Sequence, residues 1–193
     1  MRLWNKGGTN IKIMTMDSIE WEKVSEDIKY SGYRKMLRKQ FKLPNGNISD
    51  YDIVKSNDGV NIFAIDDQNN VILIEQYRPG PEKKIISVPG GLIENNEDPL
   101  DCAKRELLEE TGYTGNLIYV SSFYTWSYGT EKIYCFVATN CKKVKYDYID
   151  NQEFIKIIKI PINEFRLKLK NRDLGIMNEF LTVYLCLDYL NKL

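Results

Sequence analysis

Three glutamates stand close together in a short segment of the chain that has the pattern of a helix. Glu106, Glu109 and Glu110 are spaced i, i+3 and i+4, so their side chains project from one face of a helix. Repulsion between like charges at these spacings costs about a few tenths of a kcal/mol per pair, and a bound divalent cation would reverse that effect. Carboxylate oxygens suit Mg²⁺ or Mn²⁺ better than zinc. The spacing therefore indicates a cation site, and the alternative is an ordinary solvent-exposed acidic face.

The composition limits the chemistry that such a site can use. The chain has 193 residues and no histidine, which excludes Ser-His-Asp and Cys-His catalysis and zinc sites with histidine ligands. Acid-base or metal chemistry must therefore use carboxylates, Lys, Tyr, Cys or backbone oxygens. The 27 basic residues balance 27 acidic ones, so no net charge attracts nucleic acid or an anionic membrane. We expect neither as a partner.

The cysteines and the apolar segments indicate where the protein works. Cys102, Cys135, Cys141 and Cys186 form no C-x-x-C pair and have no zinc-ligand spacing, so we expect buried thiols in a reducing compartment. No apolar run approaches the length of a membrane span, and the first residues contain too short an apolar segment for a signal peptide. These features together predict a cytoplasmic protein.

The glutamates belong to a segment whose ends carry clear helix signals. Asp98 is a suitable N-cap, Pro99 fits the first helical position, and Asp101 lies in the first turn. Gly112 is a typical residue for ending a helix. These signals predict a helix from Pro99 to Thr111, with an apolar face that includes Ala103 and Leu107 packed on a sheet.

Strands are predicted before and after this helix. A run of apolar, largely β-branched residues at 60–65 and 71–74 predicts a hairpin covered on both faces, and Asn45-Gly46 predicts a turn in an earlier hairpin. The strand pattern extends over 21–30, 33–43, 52–55, 60–65, 71–74, 85–88, 117–124, 132–138 and 154–160. Helices are expected at 161–170 and 177–190. This order predicts a mixed α/β sandwich.

The glutamates also fit a longer pattern with fixed spacing. Gly91 is followed after five residues by Glu97, and after seven more by residues 105–113, which read R-E-L-L-E-E-T-G-Y. This arrangement is similar to the Nudix hydrolase box, G-x5-E-x7-R-E-U-x-E-E-x-G-U, where U is a bulky aliphatic residue. Every fixed position matches, and Tyr113 alone replaces the last aliphatic residue.

The resemblance implies a fold and a domain organisation. Nudix proteins have an α/β/α sandwich with a mixed sheet, which agrees with the order of elements predicted here. Residues 57–193 would form the Nudix domain, and residues 1–56 would form an N-terminal β extension. In the branch that this chain resembles, the extension helps to build a homodimer, so we expect a homodimer.

The box also implies roles for its residues. Glu106 and Glu110 would be the main ligands of Mg²⁺, with Mn²⁺ as a possible substitute, and the carbonyl oxygen of Gly90 would be a further ligand. Glu109 would be an additional ligand or a catalytic base. Arg105 would orient a glutamate for catalysis, and the alternative for it is an ordinary surface ion pair.

Segments outside the box resemble the ADP-ribose pyrophosphatase branch. Residues 76–78 read Q-Y-R, residues 87–94 read S-V-P-G-G-L-I-E, and residues 43–46 read L-P-N-G, all at the places that the branch expects. Arg78 would contact a phosphate or the terminal ribose through its planar guanidinium, with a solvent-facing strand-end arginine as the alternative. The backbone of Leu92 would face the substrate.

Two later loops differ from that branch. The branch usually has S-P-G in a loop that ends in a glutamate, and here Trp126 stands where the proline is expected, next to Ser127, with Glu131 as the closing glutamate. We expect these three residues to contact the substrate. In the late acidic loop, Glu153 falls at a metal-binding and catalytic position, but Asn151 stands at the position of the general base. The base therefore stays open among Asp150, Glu109 and Glu153.

The resemblance implies hydrolysis of the pyrophosphate bond of ADP-ribose or a related nucleoside diphosphate sugar. The products would be AMP and ribose 5-phosphate, with water attacking a phosphorus next to two or three Mg²⁺ ions held by Glu106, Glu110 and Glu153. One alternative is a pyrophosphatase for GDP-mannose, a UDP-sugar or a dinucleotide. Another is a Nudix module that binds ADP-ribose without hydrolysing it.

Overall fold

The computed structural model describes residues 19–144, 154–171, 174 and 179–193. The strands are β1 (Glu22–Ser31), β2 (Lys35–Lys42), β3 (Ile48–Lys55), β4 (Gly59–Asp66), β5 (Asn70–Arg78), β6 (Lys83–Ser87), β7 (Gly90–Leu92), β8 (Tyr113–Tyr124), β9 (Lys132–Lys143) and β10 (Lys156–Pro161). The helices are α1 (Pro99–Thr111), α2 (Ile162–Asn171) and α3 (Phe180–Tyr189). The chain divides into two compact units, residues 1–55 and 56–193.

The first unit contains an antiparallel sheet in the order β1-β2-β3. The turn between β2 and β3 closes through a bond from Leu43 N to Asn47 O of 2.8 Å, and Gly46 has a φ of 84° that favours glycine. This confirms the predicted hairpin, although β3 begins at Ile48 rather than at residue 52. Large apolar side chains of this unit are exposed, and Tyr33 is 93% exposed.

The second unit contains a mixed sheet whose described strands run in the order β10-β5-β4-β9-β8, with β6 paired to β5 and β7 paired to β4. β4 and β9 are parallel, and the other neighbours are antiparallel. β4 pairs with β5 only at Ala64 and Ile65, while its first residues pair with β7. The separation of β5 from β4 therefore makes room for β7 beside the start of β4.

Helices cover both faces of this sheet, which confirms the α/β/α sandwich with a mixed sheet. Along β4, Phe63 contributes to a core with α2 and α3, and Ile62 contributes to a core with α1. The alternation follows from the period of two of a strand. Both side chains are fully buried, as the apolar hairpin pattern predicts for a strand covered on two faces, and burying one such side chain is worth about 1.5–3 kcal/mol.

The second and third helices differ slightly from their predicted bounds. α2 begins at Ile162 because Pro161 ends strand β10, and α3 begins at Phe180. Residues 177 and 178, which belong to the predicted third helix, lie outside the described residues. No helix in the described part of the chain is both long and apolar enough to cross a membrane.

Candidate active site

Gly90 and Gly91, which open strand β7 after the bend at Pro89 and are called the two-glycine turn below, lead into the candidate site. Pro89 O accepts a hydrogen bond of 2.9 Å from Ile62 N, and Gly90 and Gly91 then pair with Asn61 and Val60 of β4. A Cβ atom at Gly90 would overlap the carbonyl oxygen of Val60. Glycine is required there because the two backbones approach so closely.

Helix α1 follows the turn and has the predicted bounds. The side chain of Asp98 accepts a hydrogen bond of 2.8 Å from Leu100 N, and Pro99 occupies the first turn. Gly112 ends the helix with a φ of 68°, and its N–H donates to Leu108 O over 2.8 Å. These local interactions set where the helix begins and ends, and thereby which residues face the sheet.

Two glutamates of α1 meet the two-glycine turn. Glu110 is buried, and its Oε2 accepts a hydrogen bond of 2.8 Å from Gly90 N. The carboxylate of Glu106 lies against Gly91 so closely that a Cβ atom on that glycine would overlap it. The pair Glu106 and Glu110 is one helical turn apart, so both carboxylates reach the turn from the same helix face.

Arg105 connects this region to the loop before the helix. Its guanidinium binds both oxygens of Glu97, Nε to Oε1 over 2.8 Å and Nη2 to Oε2 over 2.9 Å. Nη1 binds Glu106 Oε1 over 2.8 Å and Glu109 Oε2 over 3.0 Å, and the Arg105 side chain is 26% exposed. Arg105 thus holds a network of three carboxylates rather than one surface pair.

This network shifts the protonation of its members. Hydrogen bonds from Arg105 lower the pKa of Glu97 to about 2, against the opposing effect of burial. The pKa of Arg105 is raised, chiefly by the hydrogen bonds to Glu97. Burial opposes this rise, and the contacts with Glu106 and Glu109 add to it. Glu97 and Arg105 are therefore a charged pair at neutral pH.

Glu109 departs from the geometry of the other two glutamates. It binds Arg105 and is more exposed than Glu106, whereas Glu106 and Glu110 face the two-glycine turn. Among the described residues, no three carboxylates or thiols are grouped so that they could together hold a metal ion. The role of Glu109 as a ligand or base stays a prediction.

The donors at the turn nevertheless fit a small divalent cation. Mg²⁺ commonly keeps several waters and uses one or two carboxylates together with the phosphates of its substrate, so it needs no complete cage of protein ligands. Glu106 and Glu110 supply two carboxylates at Gly90 and Gly91, the first two residues of β7. Asp150, Asn151 and Glu153, which the sequence analysis singled out, lie outside the described residues.

Two of the residues predicted to contact the substrate stand at the ends of strands β5 and β7. Arg78 ends β5, and its charge opposes the rise in pKa that burial causes at the Glu179 carboxyl. Leu92 ends β7, and its carbonyl oxygen accepts from Arg105 Nη2 over 3.3 Å and from Cys102 Sγ over 3.6 Å. Its carbonyl is therefore engaged within the protein.

The loop between β8 and β9 carries the remaining predicted contacts. Thr125 Oγ1 donates to Glu131 Oε1 over 2.8 Å, which closes the loop, and Ser127 is exposed. The rings of Trp126 and Tyr128 meet edge to face at 6.4 Å, and each residue is 49% exposed. The loop therefore presents two half-exposed aromatic rings to solvent.

Sequence reasoning missed several residues that shape this region. Glu97 was recognised as a fixed position of the box, but its role as the main partner of Arg105 was not. Asp58 links the start of β9 to the residue after β7, because its Oδ1 accepts from Lys132 N over 2.9 Å and its carbonyl from Ile93 N over 2.8 Å. Asn61 and Thr182 bind each other across the core. No sequence signal distinguishes these last three residues.

We expect Glu97→Gln to lower the free energy of unfolding by about 2 kcal/mol at pH 7, because Arg105 loses a charged partner. The pKa of Glu97 is lower in the folded protein, so its contribution is present above about pH 4.5 and is lost as the pH falls towards 2. Urea unfolding at pH 7 and pH 3 measures both effects. Glu94→Gln, three residues away and exposed, is the control. An equal loss of stability at both pH values would contradict this account.

Comparison with known proteins supports a specific relationship. Residues 55–180 match the model of the NUDIX domain. A methanol dehydrogenase activator of Bacillus methanolicus is 36% identical over 133 residues, 67% of this chain and 72% of that protein. An ADP-ribose pyrophosphatase of Bacillus subtilis is 29% identical over 162 residues, 82% of this chain and 88% of that protein. The crystal structure of an ADP compounds hydrolase has a TM-score of 0.75 at 21% identity, over 89% of this chain and 95% of that one.

Proposed function

Because the chain belongs to the ADP-ribose pyrophosphatase-like branch of the NUDIX domain family and is a Nudix hydrolase, we propose that it cleaves the pyrophosphate bond of ADP-ribose or a related nucleoside diphosphate sugar. One observation carries the proposal. Glu106 and Glu110 both meet the two-glycine turn, Glu110 through Gly90 N and Glu106 against Gly91. Two carboxylates at one turn suit a substrate whose negative charge must be balanced by a cation.

The residues at the turn would each have a separate task. Glu106 and Glu110 would hold Mg²⁺ or Mn²⁺ together with the carbonyl oxygen of Gly90 and with Glu153 from the late acidic loop. When bound, the metal supplies positive charge against the diphosphate and lowers the pKa of the attacking water. Arg105 keeps Glu106 in place through the 2.8 Å bond to its Oε1.

The protein also needs a group that removes a proton from the attacking water. The Glu109 side chain is 31% exposed, and its Oε2 already binds Arg105 over 3.0 Å. That contact limits the movement of Glu109, while Glu153 remains the second candidate. We propose that one of these two carboxylates is the base.

The substrate would extend from the turn towards the β8–β9 loop. Arg78 would bind a phosphate or the terminal ribose, and Trp126, Ser127 and Glu131 would contact the nucleotide or the sugar. Half-exposed rings such as that of Trp126 can stack on a base or cover a ribose. These assignments are part of the proposal, as is the substrate-facing backbone of Leu92.

We expect the purified full chain with Mg²⁺ to convert ADP-ribose into AMP and ribose 5-phosphate. The relative from Bacillus subtilis is named as an ADP-ribose pyrophosphatase, which supports this substrate. The relative from Bacillus methanolicus is named instead as a methanol dehydrogenase activator. A panel of ADP-ribose, GDP-mannose, a UDP-sugar and a dinucleotide, followed by anion-exchange chromatography, identifies the substrate. EDTA is the control and should abolish product formation.

The outcomes of this panel separate the alternatives. If GDP-mannose, a UDP-sugar or the dinucleotide is cleaved faster than ADP-ribose, that compound is the substrate instead of ADP-ribose. Binding of ADP-ribose in calorimetry without any cleavage would instead identify a binding module. If the protein neither binds nor cleaves any compound of the panel, the proposal as a whole is contradicted.

We also propose that the protein is a homodimer assembled through the three-stranded sheet of the first unit. The exposed apolar side chains of that unit, among them Ile28 and Tyr30 of β1 and Tyr33 of the following turn, support an interface. A monomeric mass in sedimentation equilibrium would contradict this proposal. We place the protein in the cytoplasm, where its four buried free thiols would stay reduced, and cell fractionation tests that placement.

A further inference from the structure

A polar contact crosses the core directly behind the two-glycine turn. Asn61 Nδ2 donates a hydrogen bond of 3.1 Å to Thr182 Oγ1 of α3, and Thr182 is fully buried. Thr182 Oγ1 also lies 3.2 Å from Cys135 Sγ, within hydrogen-bond reach. Thr182 lies on α3 among buried apolar residues of that helix, Val183, Cys186 and Leu187. Asn61 is half-buried, so the cost of losing this bond would fall mainly on the buried hydroxyl of Thr182.

The register of the sheet places this contact beside the site. Asn61 is the cross-strand partner of Gly90 on one side and of Cys135 on the other. A Cβ atom at Gly90 would lie 3.1 Å from Asn61 Oδ1, so the carboxamide is packed against the turn. Gly90 thus binds Glu110 of α1 through its N–H and lies beside the side chain of Asn61, which binds Thr182 of α3.

The hydrogen bond gives these two polar side chains a geometric consequence beyond filling space. An apolar side chain at residue 61 and a valine at residue 182 would fill the same core without an amide or a hydroxyl to satisfy. The hydrogen bond instead fixes the orientation of the Asn61 carboxamide, and with it the surface against which Gly90 rests. It also joins α3 to the turn that receives Glu106 and Glu110.

We propose that Asn61 and Thr182 are positioning residues that hold the Gly90–Gly91 turn in the geometry needed for cation binding and catalysis. The catalytic part of this inference rests on the proposed function. The structural part does not, because the N–H of Gly90 and its bond to Glu110 can be observed without any substrate. Outer contacts of this kind change metal affinity or activity by about 10–100-fold when they are removed.

The test is Thr182→Val, which keeps the shape of the side chain and removes the hydroxyl. We expect faster amide hydrogen exchange in residues 88–93, a dissociation constant for Mn²⁺ that is about tenfold higher in calorimetry, and a kcat that falls by about tenfold with a smaller change in KM. Thr182→Ser restores the hydroxyl and should restore all three values. The double variant of Asn61→Val and Thr182→Val should lose no more than either single variant.

Cys186→Ala is the matched control, since Cys186 lies one turn further along α3 and is fully buried in the same core. It should lower the unfolding temperature without changing exchange in residues 88–93 or the affinity for Mn²⁺. Unchanged exchange and unchanged Mn²⁺ affinity in Thr182→Val would overturn the inference. If the wild-type protein neither binds Mn²⁺ nor cleaves any substrate, the proposed function fails, and the exchange of residues 88–93 still decides whether the pair positions the turn.

Discussion

Glu106→Gln is expected to reduce Mg²⁺-dependent turnover by about 10³-fold, because the substitution keeps the shape of the side chain but removes its negative charge. The carboxylate of Glu106 lies against Gly91 and is held by Arg105 Nη1 over 2.8 Å, so little else can take its place. Electrostatic stabilisation through a bound cation is worth several kcal/mol in a transition state, and each 1.36 kcal/mol corresponds to about a tenfold change in rate. Steady-state kinetics on the best substrate of the panel measures the effect.

Stability should respond far less than turnover to this substitution. Removing the charge relieves repulsion between Glu106 and Glu110 by about a few tenths of a kcal/mol, and it weakens one of the bonds made by Arg105. We therefore expect the free energy of unfolding to stay within about 1 kcal/mol of the wild-type value. Glu164→Gln, in the first turn of α2, removes an exposed glutamate and serves as the control. Turnover above one tenth of the wild-type rate in Glu106→Gln would rule out the assigned role.

Gly91→Ala is expected to reduce turnover by about 10²-fold while leaving the unfolding temperature almost unchanged. A Cβ atom at this position would overlap the carboxylate of Glu106, which is the flexible end of a side chain and can swing aside at little cost. The carboxylate would then leave the turn, and a displacement of about 1 Å can cost about 10²-fold in rate. Kinetics and thermal unfolding on the same preparation measure the two effects.

Gly90→Ala provides the comparison, because its Cβ atom would overlap the backbone carbonyl of Val60 instead of a side chain. Backbone cannot move aside so easily, and overpacking of this kind costs about 1–3 kcal/mol. Among the described residues, the glycines with positive φ are Gly46 and Gly112, so neither substitution is opposed by the backbone conformation itself. Equal losses of stability in Gly90→Ala and Gly91→Ala would show that the Glu106 carboxylate is not held where the structure places it.

Local signals were sufficient wherever the interactions are local. Helix α1 has the predicted bounds because its cap, its first-turn proline and its C-terminal glycine all act within a few residues. The hairpin of β4 and β5 was predicted with both faces covered because its apolar residues are nearly continuous, and two cores do cover them. The α/β/α sandwich followed from the order of these elements and from the resemblance.

Other features could not be predicted because they depend on pairing between distant segments. Strand β7 has three residues, two of them glycines, and so has no strand pattern of its own; it forms because β4 offers backbone partners where β5 has moved away. The helical spacing placed three glutamates on one face, yet Glu106 and Glu110 meet the two-glycine turn, whereas Glu109 meets Arg105, which Glu106 also binds. Glu109 and Glu110 are adjacent in the helix, and this difference of one position decides which carboxylate reaches the two-glycine turn.

The amino-acid sequence alone determined the family, the helix that carries the glutamates and the residue types available for chemistry, because spacing, capping and composition are properties of the chain itself. Tertiary structure decided which backbone the glutamates meet and what supports that backbone from behind. Asn61 and Thr182 are 121 residues apart, and only the register of the sheet and the packing of α3 bring them together beside Gly90. Contacts of that kind leave no periodic pattern in a sequence, since each partner is chosen by the fold and not by its neighbours in the chain.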